Sequence, residues 1–302
     1  MTDIFFDISN LNTIKAWFNT VLALPNTSSA FSAKYGSIKG DKINDFISTI
    51  DSIHKISNDF IIQNDVEITT LSQEELLQHN LCSGSLFDVW FDFANVTLNA
   101  ANYFAKALSE FENIKTADEA KNRLHNLAKV MSAMRVKAIE TKEYNAGKLL
   151  IIQPLLRHLS NHPVADITAQ ESGKIQSQIE IIIKKEAKSF WQTKKSKQAN
   201  KDEIVSKQAE IELYNELLSD AASVFDDGRV VTSFIKLNNT ADSLWRMFDN
   251  AFNLFNLIIT SSTEEQLASY VWLSEALDIT QNTVNWNNVS LSAQQFIEDM
   301  RK

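Results

Sequence analysis

Glycine, proline and cysteine are all scarce in this 302-residue chain, which contains six glycines, three prolines and one cysteine. Few glycines and prolines mean few tight turns, so the sequence predicts a small number of long elements, which is typical of helices. The single cysteine, Cys82, excludes a disulfide bond within the chain and a zinc site built from several thiolates. We interpret Cys82 as a small buried hydrophobic residue.

Recognisable catalytic and cofactor-binding motifs are also missing. The chain contains no G-x-G-x-x-G, phosphate loop, H-E-x-x-H or G-x-S-x-G. Because nothing groups a nucleophile with a base and an orienting partner, we predict no enzyme activity, no catalytic residue, no cofactor and no small-molecule substrate. His158 and His162 are four residues apart, with Asp166 four further on, but Pro163 favours a turn there. We therefore predict no metal site.

The charge balance argues against a nucleic-acid partner, because the formal net charge is −9 and such partners select basic surfaces. One segment departs from this balance. Lys184 to Lys201 (KKEAKSFWQTKKSKQANK) carries seven lysines against one glutamate. A run of lysines is usually a solvated helix face, and the alternative is a surface for an anionic partner or lipid.

The sequence shows no targeting or membrane-spanning segment. The first ten residues, MTDIFFDISN, lack a basic region and a sustained apolar region, so we expect no secretory signal peptide. No apolar run approaches the roughly 20 residues that a membrane-spanning helix needs. We expect a soluble protein.

Two segments have the apolar spacing of helices packed inside a bundle. In 237–259 and in 87–108, apolar residues recur at alternating intervals of four and three, the seam of helices packed nearly parallel to their neighbours. Ser83 is the predicted N-cap of the second segment. The predicted bundle seam consists of Leu237, Leu244, Trp245, Phe248, Phe255 and, on the last helix, Trp286.

The rest of the chain continues the helical pattern and predicts an all-α fold. We expect helices at about 10–24, 41–62, 117–159, 170–225 and 264–300, the last interrupted near Asn282, and a loop at 26–40. The lysine-rich middle of 170–225 (192–203) either continues the helix or contains a turn. Helices of about 40 to 55 residues are about 60 to 80 Å long, so we predict an elongated antiparallel bundle. Residues 1–147 and 169–302 form this bundle, and residues 148–168 form an apolar tip.

The predicted tip contains the most apolar stretch of the sequence, which we call the apolar segment. Leaving seven large aliphatic side chains exposed would cost on the order of 10 kcal/mol, comparable to the stability of a whole domain. Either neighbouring helices cover these side chains, or they form a tip that is shielded in the soluble form and released on contact with lipid or a partner. The segment comprises Leu149, Leu150, Ile151, Ile152, Leu155, Leu156 and Leu159.

The C-terminal part resembles a known family. The stretch ADSLWRMFDNAFNLFNLI, followed after a break by EQLASYVWLSEALDITQNTVNWNNVSLSAQQFIEDM, resembles the C-terminal helices of ClyA-like α-helical pore-forming toxins. The resemblance is greatest to α-xenorhabdolysin B-type and Mak-type subunits of multi-component toxins. The shared pattern is the Leu244–Trp245 pair on one helix, then Trp286 on the last helix, followed by small and apolar residues.

The resemblance implies a non-enzymatic toxin component that stays soluble until it assembles with homologous toxin subunits on the lipid of a target-cell membrane. The apolar segment would be its membrane tip. Since that segment is shorter than the head of subunits that insert alone, the resemblance favours an auxiliary subunit or a relative that has lost insertion altogether. Such a subunit would leave the cell by a route other than the Sec pathway. The alternative is a soluble, cytoplasmic helical scaffold or interaction protein whose apolar segment is ordinary core.

Overall fold

The computed structural model describes residues 5–36, 41–64, 67–188, 194–225 and 227–302. Throughout these residues the regular elements are helices and no strand occurs, which confirms the all-α prediction. A short 3-10 turn at Glu110–Asn113 follows the sixth helix. The α-helices are α1 (Ser9–Leu22), α2 (Ser28–Tyr35), α3 (Asp41–Ile56), α4 (Asn58–Ile61), α5 (Gln73–Gln78), α6 (Leu86–Ser109), α7 (Ala117–Ser160), α8 (Val164–Lys188), α9 (Lys194–Val224), α10 (Asp227–Ser261), α11 (Glu264–Leu267), α12 (Tyr270–Ala276) and α13 (Ile279–Met300).

The longest helix, α7, has 44 residues and continues through Pro154. A proline inside a helix removes one backbone hydrogen bond and crowds the carbonyl group four residues earlier, which here belongs to Leu150. The helix still extends to Ser160, because Ile152, Leu156 and Leu159 pack one of its faces into the protein on both sides of the proline. Tertiary packing therefore outweighs the local cost of Pro154.

Several helix ends differ from the predicted ones for local reasons. The N-cap of α6 is Ser85 and not Ser83, because the Ser85 hydroxyl accepts a hydrogen bond from the backbone N–H of Asp88. The carboxylate of Asp88 in turn accepts from the backbone N–H of Ser85, which completes a capping box. Asp88 is buried and also accepts two hydrogen bonds from Asn64, one from its backbone and one from its amide.

The predicted loop at 26–40 contains the eight-residue helix α2. Its N-cap is Thr27, whose side chain accepts from the backbone N–H of Ala30, and it ends at Gly36 with φ of 78°. Residues 37–40 lie outside the described part of the chain. The last predicted helix is interrupted not at Asn282 but twice before α13, once after Leu267 and once at Asp278, which has φ of 42° in the left-handed region.

The described chain divides into two compact units. The first unit comprises Met1–Ile14, Asp59–Leu150 and Thr232–Lys302. In it, α6 packs along α13, and the aromatic rings of the two helices meet. Phe104 and Trp286 stack with ring centroids 4.9 Å apart, and Trp286 stacks on Phe248 at 6.1 Å. Of the predicted bundle seam, Trp245 is half-buried and the other members are buried: Leu237, Leu244, Phe248, Phe255 and Trp286.

The second unit comprises Lys15–Asn58 and Ile151–Val231. Its main feature is the pair of long helices α8 and α9, which pack on one another. Near one end of this pair, α2 contacts α9 and α3 contacts α8. The unit therefore consists of a helical pair held at its base by shorter helices from the N-terminal part of the chain.

Candidate functional site

The apolar segment lies on α7, and its seven aliphatic side chains have different environments. Ile152, Leu156 and Leu159 are completely or almost completely buried. They follow one another at intervals of four and three residues, so they share one helix face. Leu149 and Leu155 are half-buried, while Leu150 is 71% and Ile151 49% exposed. The predicted membrane tip thus has a buried side, and Leu150 and Ile151 remain accessible.

The end of the apolar segment is attached to α3. His158 Nε2 lies 2.9 Å from Asp45 Oδ2, and the ring of His162 packs against Phe46 with centroids 5.4 Å apart. The turn predicted at Pro163 is short, because α8 begins at Val164 and not at about residue 170. This corner between α7 and α8 therefore has neighbouring side chains from α3.

The segment predicted as 170–225 forms two helices that pack as an antiparallel hairpin. Lys207 on α9 donates a hydrogen bond to Gln178 on α8 at 2.6 Å. Further along α9, Tyr214 is close enough to Glu171, earlier on α8, for the carboxylate to contribute to its raised pKa. Residues later on α9 therefore lie next to residues earlier on α8, so the two helices run in opposite directions. The lysine-rich stretch comprises the last residues of α8 and the first residues of α9, and its residues 189–193 are outside the described part.

The base of the hairpin is held by polar contacts from α1 and α2. Tyr35 is fully buried, and its hydroxyl donates a 2.6 Å hydrogen bond to Asp220 Oδ2 on α9. The ammonium group of Lys34 lies 2.7 Å from the same oxygen. Burial alone would raise the pKa of Asp220, but the hydrogen bonds from Lys34 and Tyr35 lower it below its ordinary value. Trp17 Nε1 donates to the Val224 carbonyl at 3.1 Å.

Asp220→Asn is expected to destabilise the protein by about 1–2 kcal/mol at pH 7, because an amide oxygen accepts more weakly from Lys34 and Tyr35. Since folding lowers the pKa of Asp220, its contribution is fully present above the unfolded pKa of about 3.9 and is lost as the pH falls through the folded value. Urea unfolding of both proteins at pH 7 and pH 3 measures this. The difference should shrink at pH 3, and Glu212→Gln, exposed on the same helix, should show little effect at either pH.

The far part of the hairpin, which we call the distal half, lacks a core of its own. Of its described side chains, at 180–185 and 196–210, none is buried. Three aliphatic side chains are exposed there: Ile181 by 51%, Ile183 by 50% and Val205 by 64%. The exposed lysines among them are Lys184, Lys185, Lys197 and Lys201. Aliphatic and cationic side chains are therefore both accessible to solvent in this part of the hairpin.

The sequence reasoning missed the aliphatic part of this surface. It singled out only the lysines of this stretch, whereas the structure exposes isoleucines beside them and leaves Ile182 and Ile204 half-buried in the hairpin. The run Ile181–Ile182–Ile183 was the available signal, because three successive isoleucines span about 200° of a helix and cannot all face one partner. Among the described helices, none combines the length and the hydropathy needed to cross a lipid bilayer.

The comparisons with known proteins give one structural neighbour. No protein-family model and no curated protein matches the sequence. The crystal structure of XaxA from Xenorhabdus nematophila is similar over 97% of this chain and 96% of that chain, with 15% sequence identity and a TM-score of 0.38. Family membership therefore stays a prediction from the sequence resemblance.

Proposed function

We propose that this chain is a non-enzymatic component of a multi-subunit α-helical pore-forming toxin, which contacts the lipid of a target membrane and assembles there with homologous subunits. The observation that carries the proposal is the distal half of the α8–α9 hairpin. It places exposed aliphatic side chains among lysines at the end of two helices that cover each other only partly. The sequence resemblance to toxin subunits supplies the biological setting.

The energetics of this surface suit a reversible membrane contact. Fully burying an exposed aliphatic side chain is worth about 1.5–3 kcal/mol, and Ile181, Ile183 and Val205, which are 50–64% exposed, can each gain a little over half of that. A lysine beside an anionic membrane adds about 1 kcal/mol, and this attraction weakens as salt is added. The contact we propose is therefore interfacial, through the hairpin end, and not the crossing of a bilayer.

The apolar segment has a smaller part in this proposal than its composition indicates. Leu150 and Ile151 are accessible to lipid or to a partner subunit. Ile152, Leu156 and Leu159 are buried, so they stabilise the folded chain. This division fits an auxiliary subunit that touches a membrane or another subunit through a limited apolar surface.

The burial of Ile152, Leu156 and Leu159 also favours a second candidate function, a soluble helical scaffold without membrane activity. In that case the α8–α9 hairpin would be a protein-binding element, and its exposed aliphatic side chains would meet another polypeptide. The two functions differ in one measurable property, the affinity for lipid vesicles.

The double variant Ile183→Glu/Val205→Glu is expected to bind vesicles containing phosphatidylserine at least tenfold more weakly than the unmodified protein. Each substitution removes an exposed aliphatic group and adds a negative charge facing an anionic surface. Cosedimentation with vesicles measures binding, and dye release in the presence of candidate partner subunits measures membrane damage. Both side chains are exposed, so folding should be preserved, which circular dichroism can verify.

The matched control is Val284→Glu/Leu291→Glu, which makes the same change at two exposed positions of α13 in the other unit. It should bind vesicles like the unmodified protein. If the unmodified protein does not bind vesicles alone or with candidate partners, the toxin proposal is wrong and the scaffold function is preferred. Equal losses in both double variants would show that the distal half has no special role.

A further inference from the structure

Three metal-ligating side chains meet where α3 passes the corner between α7 and α8. Asp45 lies on α3, His158 in the last turn of α7, and His162 in the short connection to α8. One ligand atom from each lies within 4.8 Å of the others. The sequence spacing drew attention to Asp166 as the third group, but the structure places Asp45 there, more than a hundred residues earlier in the chain.

We propose that Asp45, His158 and His162 form a binding site for a zinc ion that clamps α3 to the corner of α7 and α8. His158 Nε2 lies 2.9 Å and His162 Nε2 3.7 Å from Asp45 Oδ2. Zinc bonds of about 2.0–2.1 Å in tetrahedral geometry separate neighbouring ligand atoms by about 3.3 Å. The two observed distances lie on either side of this value, and the two histidine nitrogens are at most 4.8 Å apart. Changes of at most about 1.5 Å in these separations would therefore complete the site.

The exposure of the three side chains suits a metal site in which one ligand is held in place and the ion can enter from solvent. The side chain of His162 is 2% exposed and packs against Phe46, which limits its movement. The side chains of His158 and Asp45 are 46% and 55% exposed, so an ion can enter from solvent. Three protein ligands leave the fourth tetrahedral position to water.

The ligand set selects among metals. Two imidazole nitrogens and one carboxylate oxygen suit zinc and other late first-row transition ions. Magnesium and calcium prefer sites made only of oxygen ligands and need more of them than Asp45 provides. The site should therefore distinguish zinc from magnesium at equal concentration.

Zinc binding at this corner also requires one local rearrangement. The backbone N–H of Val164 donates to His162 Nδ1 at 3.1 Å, which places the proton of the neutral ring on Nε2. A zinc ion bonded to Nε2 takes the place of that proton, and the ring then carries its proton on Nδ1. The hydrogen bond from Val164 must open, so zinc binding should change amide exchange in the first turn of α8.

Isothermal titration of the full chain with zinc chloride, after removal of metal with a chelator, tests the proposal. We expect one zinc ion per chain, a rise in the melting temperature on addition of zinc, and no such response to magnesium. His158→Gln and Asp45→Asn should each weaken zinc binding by about tenfold or more, since loss of even an outer partner of a zinc ligand costs that much. Both residues are exposed, so these variants should fold.

The matched control is His125→Gln, which removes an exposed histidine elsewhere on α7 and should leave zinc binding unchanged. Absence of zinc binding to the unmodified protein would overturn the proposal. So would unchanged affinity in either ligand variant, because the ion would then bind to surface histidines outside this cluster. These outcomes are independent of vesicle binding, so the zinc site and the proposed toxin function can fail separately.

Discussion

Ile152→Asp is expected to lower the free energy of unfolding by at least about 4 kcal/mol. The side chain of Ile152 is fully buried, so the substitution removes about 1.5–3 kcal/mol of apolar burial. It also places an unpaired carboxyl group in an apolar environment, which costs several kcal/mol more whether the group is charged or neutralised. Urea unfolding followed by circular dichroism measures the loss.

Ile151→Asp is the matched control, because it makes the same change one position earlier on the same helix. Ile151 is 49% exposed, so its carboxylate can remain hydrated and the cost should stay below about 1 kcal/mol. Similar losses in the two variants would contradict the burial pattern of α7. The outcome that we expect would assign Ile152 to the core and leave Ile151 available for contacts outside the chain.

The pair also bears on what the apolar segment does. If Ile151→Asp preserves folding but weakens vesicle binding or leakage, the exposed side of α7 takes part in the membrane contact that we propose. If it changes neither, the membrane contact belongs to the distal half of the hairpin alone. Ile152→Asp cannot make this distinction, because its expected loss of stability would reduce every activity.

The sequence predicted the elements of the fold better than their partners. The spacing of Leu237, Leu244, Phe248 and Phe255 indicates which face of α10 is buried, because a 3.6-residue repeat aligns these side chains whatever they meet. The same rule applied to the apolar segment would have separated Ile152 and the two leucines that follow its spacing from Leu150 and Ile151. The composition of the segment, which has seven aliphatic residues in eleven positions, does not indicate which of them are buried.

Features that depend on distant parts of the chain could not be predicted from the sequence. Asp45 and His158 are 113 residues apart, and no local pattern indicates that they meet. The buried Tyr35 lies in a stretch rich in serine and glycine, so the contact with Asp220 that holds the hairpin base gives no periodic signal. The antiparallel pairing of α8 and α9 could not be predicted for a similar reason, because an apolar helix face does not indicate which helix packs against it.

Trp286→Ala is expected to destabilise the protein by about 3–5 kcal/mol, the range measured when a large buried aromatic is removed from a core. Trp286 is 4% exposed and lies between the rings of Phe104 and Phe248, so its loss removes two stacking contacts and leaves a large cavity. Trp286→Phe keeps an aromatic ring at the position and should cost clearly less.

Val284→Ala, on the same helix but 49% exposed, should change stability by less than about 0.5 kcal/mol. A small effect of Trp286→Ala in urea unfolding would mean that α13 is not anchored through its tryptophan. Trp286, which is part of the sequence pattern shared with toxin subunits, would then lack a structural role in this chain. A large effect would explain the tryptophan by packing alone, because the aromatic stack that joins α6, α10 and α13 requires it whether or not the protein ever meets a membrane.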